Sequence, residues 1–131
     1  YKLISYISPN ATVASNAKIG ENCFIFENNT IQPFTTIEDN CILWSGNHIG
    51  HHSIIKAHCF IASHVVISGG VEVGENTFIG VNATLRDHVT IGSSNIIGAG
   101  VLILRDTEDN KVYMATETQV SRVPSNRLRG M

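Results

Sequence analysis

Along this chain one apolar position recurs every six residues. From Ile7 the series runs Val13, Ile19, Ile25, Ile31, Ile37, Leu43, Ile49, Ile55, Ile61, Ile67, Val73, Ile79, Leu85, Ile91, Ile97 and Ile103, seventeen positions that are all Ile, Val or Leu. A helix face repeats every 3.6 residues and a strand face every 2, so neither gives a strict period of six. The residue four places after each aliphatic is usually small or β-branched, as at Ala11, Ala17, Cys23, Thr35, Cys41, Ser53, Cys59, Val65 and Val71. A fixed short period is the mark of a solenoid. The pattern predicts an all-β chain, a parallel β-helix of hexapeptide repeats with about five coils of eighteen residues. Residues 1–104 form the β-helix domain. Residues 105–131 form a C-terminal turn and tail, within which 111–115 has the composition of one last strand.

The positions between the aliphatics fit corners. One column, eighteen residues apart, reads Asn10, Asn28, Gly46, His64, Asn82 and Gly100; another reads Asn22, Asn40, His58, Asn76 and Ser94. Asn, Gly and, to a lesser degree, His tolerate the left-handed backbone that tight corners use. His58 and His64 are therefore read as turn residues.

Side chains flanking the inward aliphatic point out, and the three outer faces differ. One carries Tyr6, Phe24, Phe26, Ile42, Trp44, Phe60, Phe78 and Ile96; a second carries Lys18, Glu38, Lys56 and Glu72; the third carries Thr12, Thr30, Gln32, His48 and Arg86. An exposed aromatic face of that extent points to a protein partner. The expectation is a homotrimer packed through it.

Composition narrows the function. A net charge of −2 without a basic run argues against nucleic acid as a partner. No apolar stretch reaches the length of a membrane span and no signal-like start is present, so the expected compartment is the cytoplasm, with no membrane partner. Cys23, Cys41 and Cys59 lie eighteen apart and stack as one interior column. That spacing is not a zinc signature, and no metal is expected. A γ-type carbonic anhydrase, which shares the fold, needs a His-x4-His pair; the six histidines, at 48, 51, 52, 58, 64 and 88, contain none.

The candidate chemistry gathers at one corner. His51 stands one coil before Gly69, in the pair Gly69-Gly70, and two before Asp87. An imidazole beside a backbone N–H that no side chain covers is the pairing acyl transfer requires. The imidazole takes a proton from the attacking amine or hydroxyl, and the N–H holds the oxyanion. With all three cysteines facing inward, direct transfer is expected rather than a covalent acyl-enzyme.

The repeat, with the runs Ser45-Gly46-Asn47-His48-Ile49-Gly50-His51 and Ser68-Gly69-Gly70-Val71-Glu72-Val73-Gly74-Glu75-Asn76-Thr77-Phe78-Ile79-Gly80, resembles the left-handed β-helix acyltransferases. Within them it is similar to the bacterial sialic acid O-acetyltransferases and nucleotide-aminosugar N-acetyltransferases. The resemblance implies a left-handed helix and an acetyl-CoA-dependent acetyltransferase. Its acceptor would be an amine or hydroxyl on a nucleotide-linked sugar of a bacterial surface polysaccharide. It implies His51 as general base and the Gly69 amide as carbonyl donor. Acetyl-CoA would lie between subunits along Gly69, Gly80, Val81, Gly98 and Ala99, with Lys111 or Arg122 at its phosphates. That group usually has an acidic residue after the base. Here His52 stands there, so His52 or Asp87 is the candidate to orient His51. The competing reading is a catalytically silent, structural or regulatory solenoid.

Overall fold

The computed structural model describes residues 1–129. Eighteen two-residue strands wind into a left-handed parallel β-helix of triangular coils. The first face stacks Tyr6–Ile7, Phe24–Ile25, Ile42–Leu43, Phe60–Ile61, Phe78–Ile79, Ile96–Ile97 and Val112–Tyr113. The second stacks Thr12–Val13, Thr30–Ile31, His48–Ile49, Val66–Ile67, Thr84–Leu85 and Leu102–Ile103. The third stacks Lys18–Ile19, Thr36–Ile37, Ile54–Ile55, Glu72–Val73 and Thr90–Ile91. Pairing is parallel, and the strand residues paired between Tyr6 and Ile103 stand eighteen apart, as in Tyr6↔Phe24 and His48↔Val66.

Each strand is two residues because only two can be straight before the next corner. The second points inward, and the aliphatics from Ile25 to Ile103 are buried. From Cys23 to Val101 the small residue that closes each corner is buried too. Where it is polar it bonds the next coil's backbone: the Cys23, Cys41 and Cys59 thiols donate to the carbonyls of Glu38, Lys56 and Gly74 at 3.1, 3.2 and 3.2 Å. The Thr77 hydroxyl continues that column, donating to the Gly92 carbonyl at 3.1 Å.

From Asn22 to Gly100, the residue three places after each inward aliphatic has positive φ. Two of the three corner columns are those read from the sequence. The third, Phe34, His52, Gly70 and His88, is equally left-handed, although Phe34 carries no turn signal at all.

The last coil is shorter. Ile96 pairs with Val112, a step of 112 − 96 = 16 residues instead of eighteen. The side that loses two residues is mended by side chains. The Thr107 hydroxyl accepts from the Gly92 N–H at 2.9 Å and donates to Asn95 Oδ1 at 2.8 Å. This lets the chain return for a seventh strand on the first face.

Candidate functional site

The corner between the second and third faces holds His51 and His52 after the strand His48–Ile49. Both side chains are exposed, whereas the turn beneath them is fixed at several points. The His51 N–H donates to Gln32 Oε1 at 2.9 Å, and the His52 N–H to the Pro33 carbonyl at 3.1 Å. The His51 carbonyl accepts from the Gly70 N–H at 2.9 Å. Below, the buried Ser53 hydroxyl donates to the Ser68 carbonyl at 3.0 Å and accepts from the Val71 N–H at 3.2 Å. Ser53 thus ties the His51 corner to the Gly69-Gly70 corner on the next coil. In the sequence Ser53 reads only as a small closing residue and Gln32 only as part of a face. Their signal was polarity in positions that are otherwise apolar or featureless.

The His51 ring lies directly over Gly69. A methyl group added at Gly69 would stand 2.7 Å from His51 Nε2 and 2.8 Å from Cε1, closer than atoms pack. The Gly69 N–H has no hydrogen-bond partner among the described residues. Two other corner amides are covered by a side chain from the previous coil: Ala57 N–H by Glu38 Oε1 at 3.1 Å, His51 N–H by Gln32 Oε1 at 2.9 Å. The position that would cover Gly69 is Gly50, which has no side chain. A Cβ there would stand 2.5 Å from the Gly69 nitrogen. Gly50 therefore leaves an amide hydrogen open beside Nε2 of His51.

His51 Nδ1 meets His52 Nδ1 at 3.1 Å, with the rings nearly perpendicular at 86°. Two imidazole nitrogens share such a bond when one carries the proton and the other accepts it. Asp87 does not reach this pair. Its carboxylate lies 3.9 Å from Arg86 Nε and 3.8 Å from His88 Nε2, within its own corner.

Gly80, Val81, Gly98 and Ala99 lie on the opposite edge of the second face, at its corner with the first. Outward positions there shrink from Phe26 and Trp44 to Ala62, Gly80 and Gly98 up the stack. A Cβ on Gly80 would meet the Ala99 nitrogen at 2.6 Å, so the coils approach closely there. Lys111 is exposed, just ahead of Val112–Tyr113, at the far edge of the first face. Within one chain the structure brings His51 to His52 and Gly69. Asp87 stands two coils further along the same edge, whereas Gly80, Val81, Gly98 and Ala99 are separated from His51 by a whole face.

The first face carries a ladder of rings: Tyr6–Phe26 at 6.2 Å, Phe26–Trp44 at 6.1 Å, Trp44–Phe60 at 6.0 Å and Phe60–Phe78 at 5.5 Å. Among the described residues no three His, Cys, Asp or Glu side chains gather as a metal site. Among the described residues no helix is long and apolar enough to cross a membrane.

Residues 4–102 match the family model described as the GMPPB C-terminal domain. The chain belongs to that family. No curated protein matches closely enough to count as a relative. Among solved structures, PerB from Caulobacter crescentus, in complex with CoA and GDP-perosamine, superposes with a TM-score of 0.84 at 32% identity, over 86% of this chain and 54% of that one. A mutant of perosamine N-acetyltransferase from the same organism gives a TM-score of 0.84 at 31% identity, over 86% and 53%. The acetyltransferase domain of PglB from Neisseria gonorrhoeae, in complex with acetyl coenzyme A, gives a TM-score of 0.84 at 29% identity over 86% and 55%. These neighbours bear out the resemblance to the left-handed β-helix acyltransferases. This member of the GMPPB C-terminal domain family spans about half the length of each of these structures.

Proposed function

We propose that the chain is the catalytic β-helix of an acetyl-CoA-dependent acetyltransferase whose acceptor is an amine or hydroxyl of a nucleotide-linked sugar. One observation carries this reading: the unpaired Gly69 N–H stands beside His51 Nε2 in an open corner. The nearness of CoA- and GDP-perosamine-bound N-acetyltransferases supports the choice of substrates.

In this reading His51 donates its Nδ1–H to His52 Nδ1, which leaves Nε2 unprotonated and facing the reacting centre. The acceptor nitrogen or oxygen attacks the thioester carbonyl while Nε2 takes its proton. The carbonyl oxygen gains negative charge and is held by the Gly69 N–H, a fixed dipole that needs no reorganisation. Collapse of the tetrahedral intermediate breaks the C–S bond, and the proton on Nε2 passes to the departing thiolate. His52 serves as orienting partner in place of an acid. Asp87 would need movement or a neighbouring subunit to do so.

The acetyl donor runs along Gly80, Val81, Gly98 and Ala99, with Lys111 or Arg122 at its phosphates. These positions and His51 occupy opposite edges of the second face. A donor touching both must pass over that face or enter from a second copy. A homotrimer that packs through the first face, using Trp44, Phe60 and Phe78, supplies such a copy. In a bacterial cell the expected compartment is the cytoplasm, where acetyl-CoA and nucleotide sugars are made.

The test is thiol release from acetyl-CoA with a panel of nucleotide-linked amino and deoxy sugars, with products weighed by mass spectrometry. A gain of one acetyl group, lost in His51→Ala, is the expected result. No turnover and no coenzyme binding by calorimetry would favour a silent solenoid.

A further inference from the structure

Among the left-handed corner residues with side chains, Phe34 stands apart. The others are Asn, His or Ser, which tolerate positive φ, whereas Phe34 holds φ 63° with a bulky ring and is 59% exposed. A large side chain in that region is a genuine outlier, and such strain persists only where the surroundings impose it. The Phe34 N–H is held by Asn16 Oδ1 at 3.0 Å. The ring is not held in a core.

What the ring touches is His52. The two rings are stacked, with centroids 4.9 Å apart and planes 22° from parallel. On the other side of His52 along the column stands Gly70, over which the His88 ring lies without pairing with His52. His52 itself sits at φ 60° and is exposed, so its imidazole would be free to change rotamer without the stack. Held there, its Nδ1 points at His51 Nδ1.

We propose that Phe34 is a positioning residue whose stacked ring holds the His52 imidazole against His51, and so fixes the His51 tautomer that leaves Nε2 open. This rests on the acid–base reading of His51 given above, but its geometry is measurable without substrate. An ordinary hexapeptide corner would carry Asn here, as at Asn28 and Asn40. The chain instead keeps a strained aromatic where it steadies the histidine pair.

The experiment compares Phe34→Asn and Phe34→Tyr with the parent chain. Asn suits the backbone and removes the stack; Tyr keeps the stack. For Phe34→Asn we expect a melting temperature equal to or above the parent's. The histidine-ring ¹⁵N spectrum of the free protein should change at His51 from one Nδ1-protonated tautomer to a mixture. Turnover should fall about tenfold through kcat, with KM kept, the size usual for losing a partner that orients a functional imidazole. Phe34→Tyr should restore both. An unchanged His51 tautomer and unchanged kcat in Phe34→Asn would overturn the proposal. A tautomer shift in Phe34→Asn, found together with full turnover in His51→Ala, would refute the acid–base reading instead and leave the positioning geometry standing.

Discussion

His51 and His52 turn their Nδ1 atoms toward one another, 3.1 Å apart. In the proposed reading that contact leaves Nε2 of His51 as the base and makes His52 the group that selects its tautomer. We expect His51→Ala to lower kcat by about 10²–10⁴-fold, the usual contribution of a general base. His52→Asn keeps a residue suited to φ 60° and should lower kcat by about 10–100-fold with the fold intact. Steady-state thiol release and circular dichroism melts measure both.

Gly50 and Gly69, nineteen residues apart, should respond to alanine in opposite ways. At Gly69 an added methyl meets the end of the His51 ring, which can swing aside. Activity should be lost and stability kept. At Gly50 it meets the Gly69 nitrogen and the Ser68 carbonyl carbon, both at 2.5 Å, and backbone cannot swing aside. Gly50→Ala should cost about 1–3 kcal/mol or more, as overpacking does. Parallel denaturant titrations and assays separate the cases. Equal stability losses in the two variants would contradict this geometry.

The cysteine column gives a pH prediction. The hydrogen-bonded neighbour Cys41, then burial, hold the Cys23 thiol far above its usual range. At Cys41 the neighbour Cys23 acts downward, but Cys59 and burial outweigh it and push the thiol up to about 12. Cys59 moves the other way, drawn down by Cys41. A thiol whose pKa is raised by folding contributes stability below its unfolded value, about 8.5, and loses it as pH rises through the folded value. Unfolding midpoints should therefore fall between about pH 9 and pH 12. Cys41→Val should flatten that fall. At neutral pH none of the three thiols should react with a disulfide reagent until the chain unfolds.

The aromatic ladder should hold copies together. Trp44 is 50% and Phe78 39% exposed, although each takes part in the run of rings. Trp44→Glu with Phe78→Glu places charge on that face without touching the buried column. Sedimentation velocity should show a trimer for the parent and a monomer for the double variant. A parent that sediments as a monomer would remove the neighbouring subunit from the proposed site.

Much of the fold was legible because every coil repeats the same steric demand. A two-residue strand buries one aliphatic, and the following corner needs a small residue inside, so the six-residue period registers each coil on its neighbours. The shortened final coil was not legible. It depends on the Thr107 hydroxyl standing in for a backbone acceptor, which no periodicity signals. Phe34 was invisible for a related reason: the local sequence argues against a left-handed corner there, and the stacked coils impose one.

By itself, then, the sequence determined the solenoid, its coil length, its three unlike faces and the placing of His51 one coil from Gly69, since each follows from counting in eighteens. Only the tertiary structure decided which atoms face each other. Side-chain rotamers choose the His51–His52 contact over Asp87. The absence of a side chain at Gly50 frees the Gly69 amide. The width of the second face parts His51 from Gly80 and Gly98. Counting along a chain fixes position on the solenoid, but direction and reach belong to packed side chains.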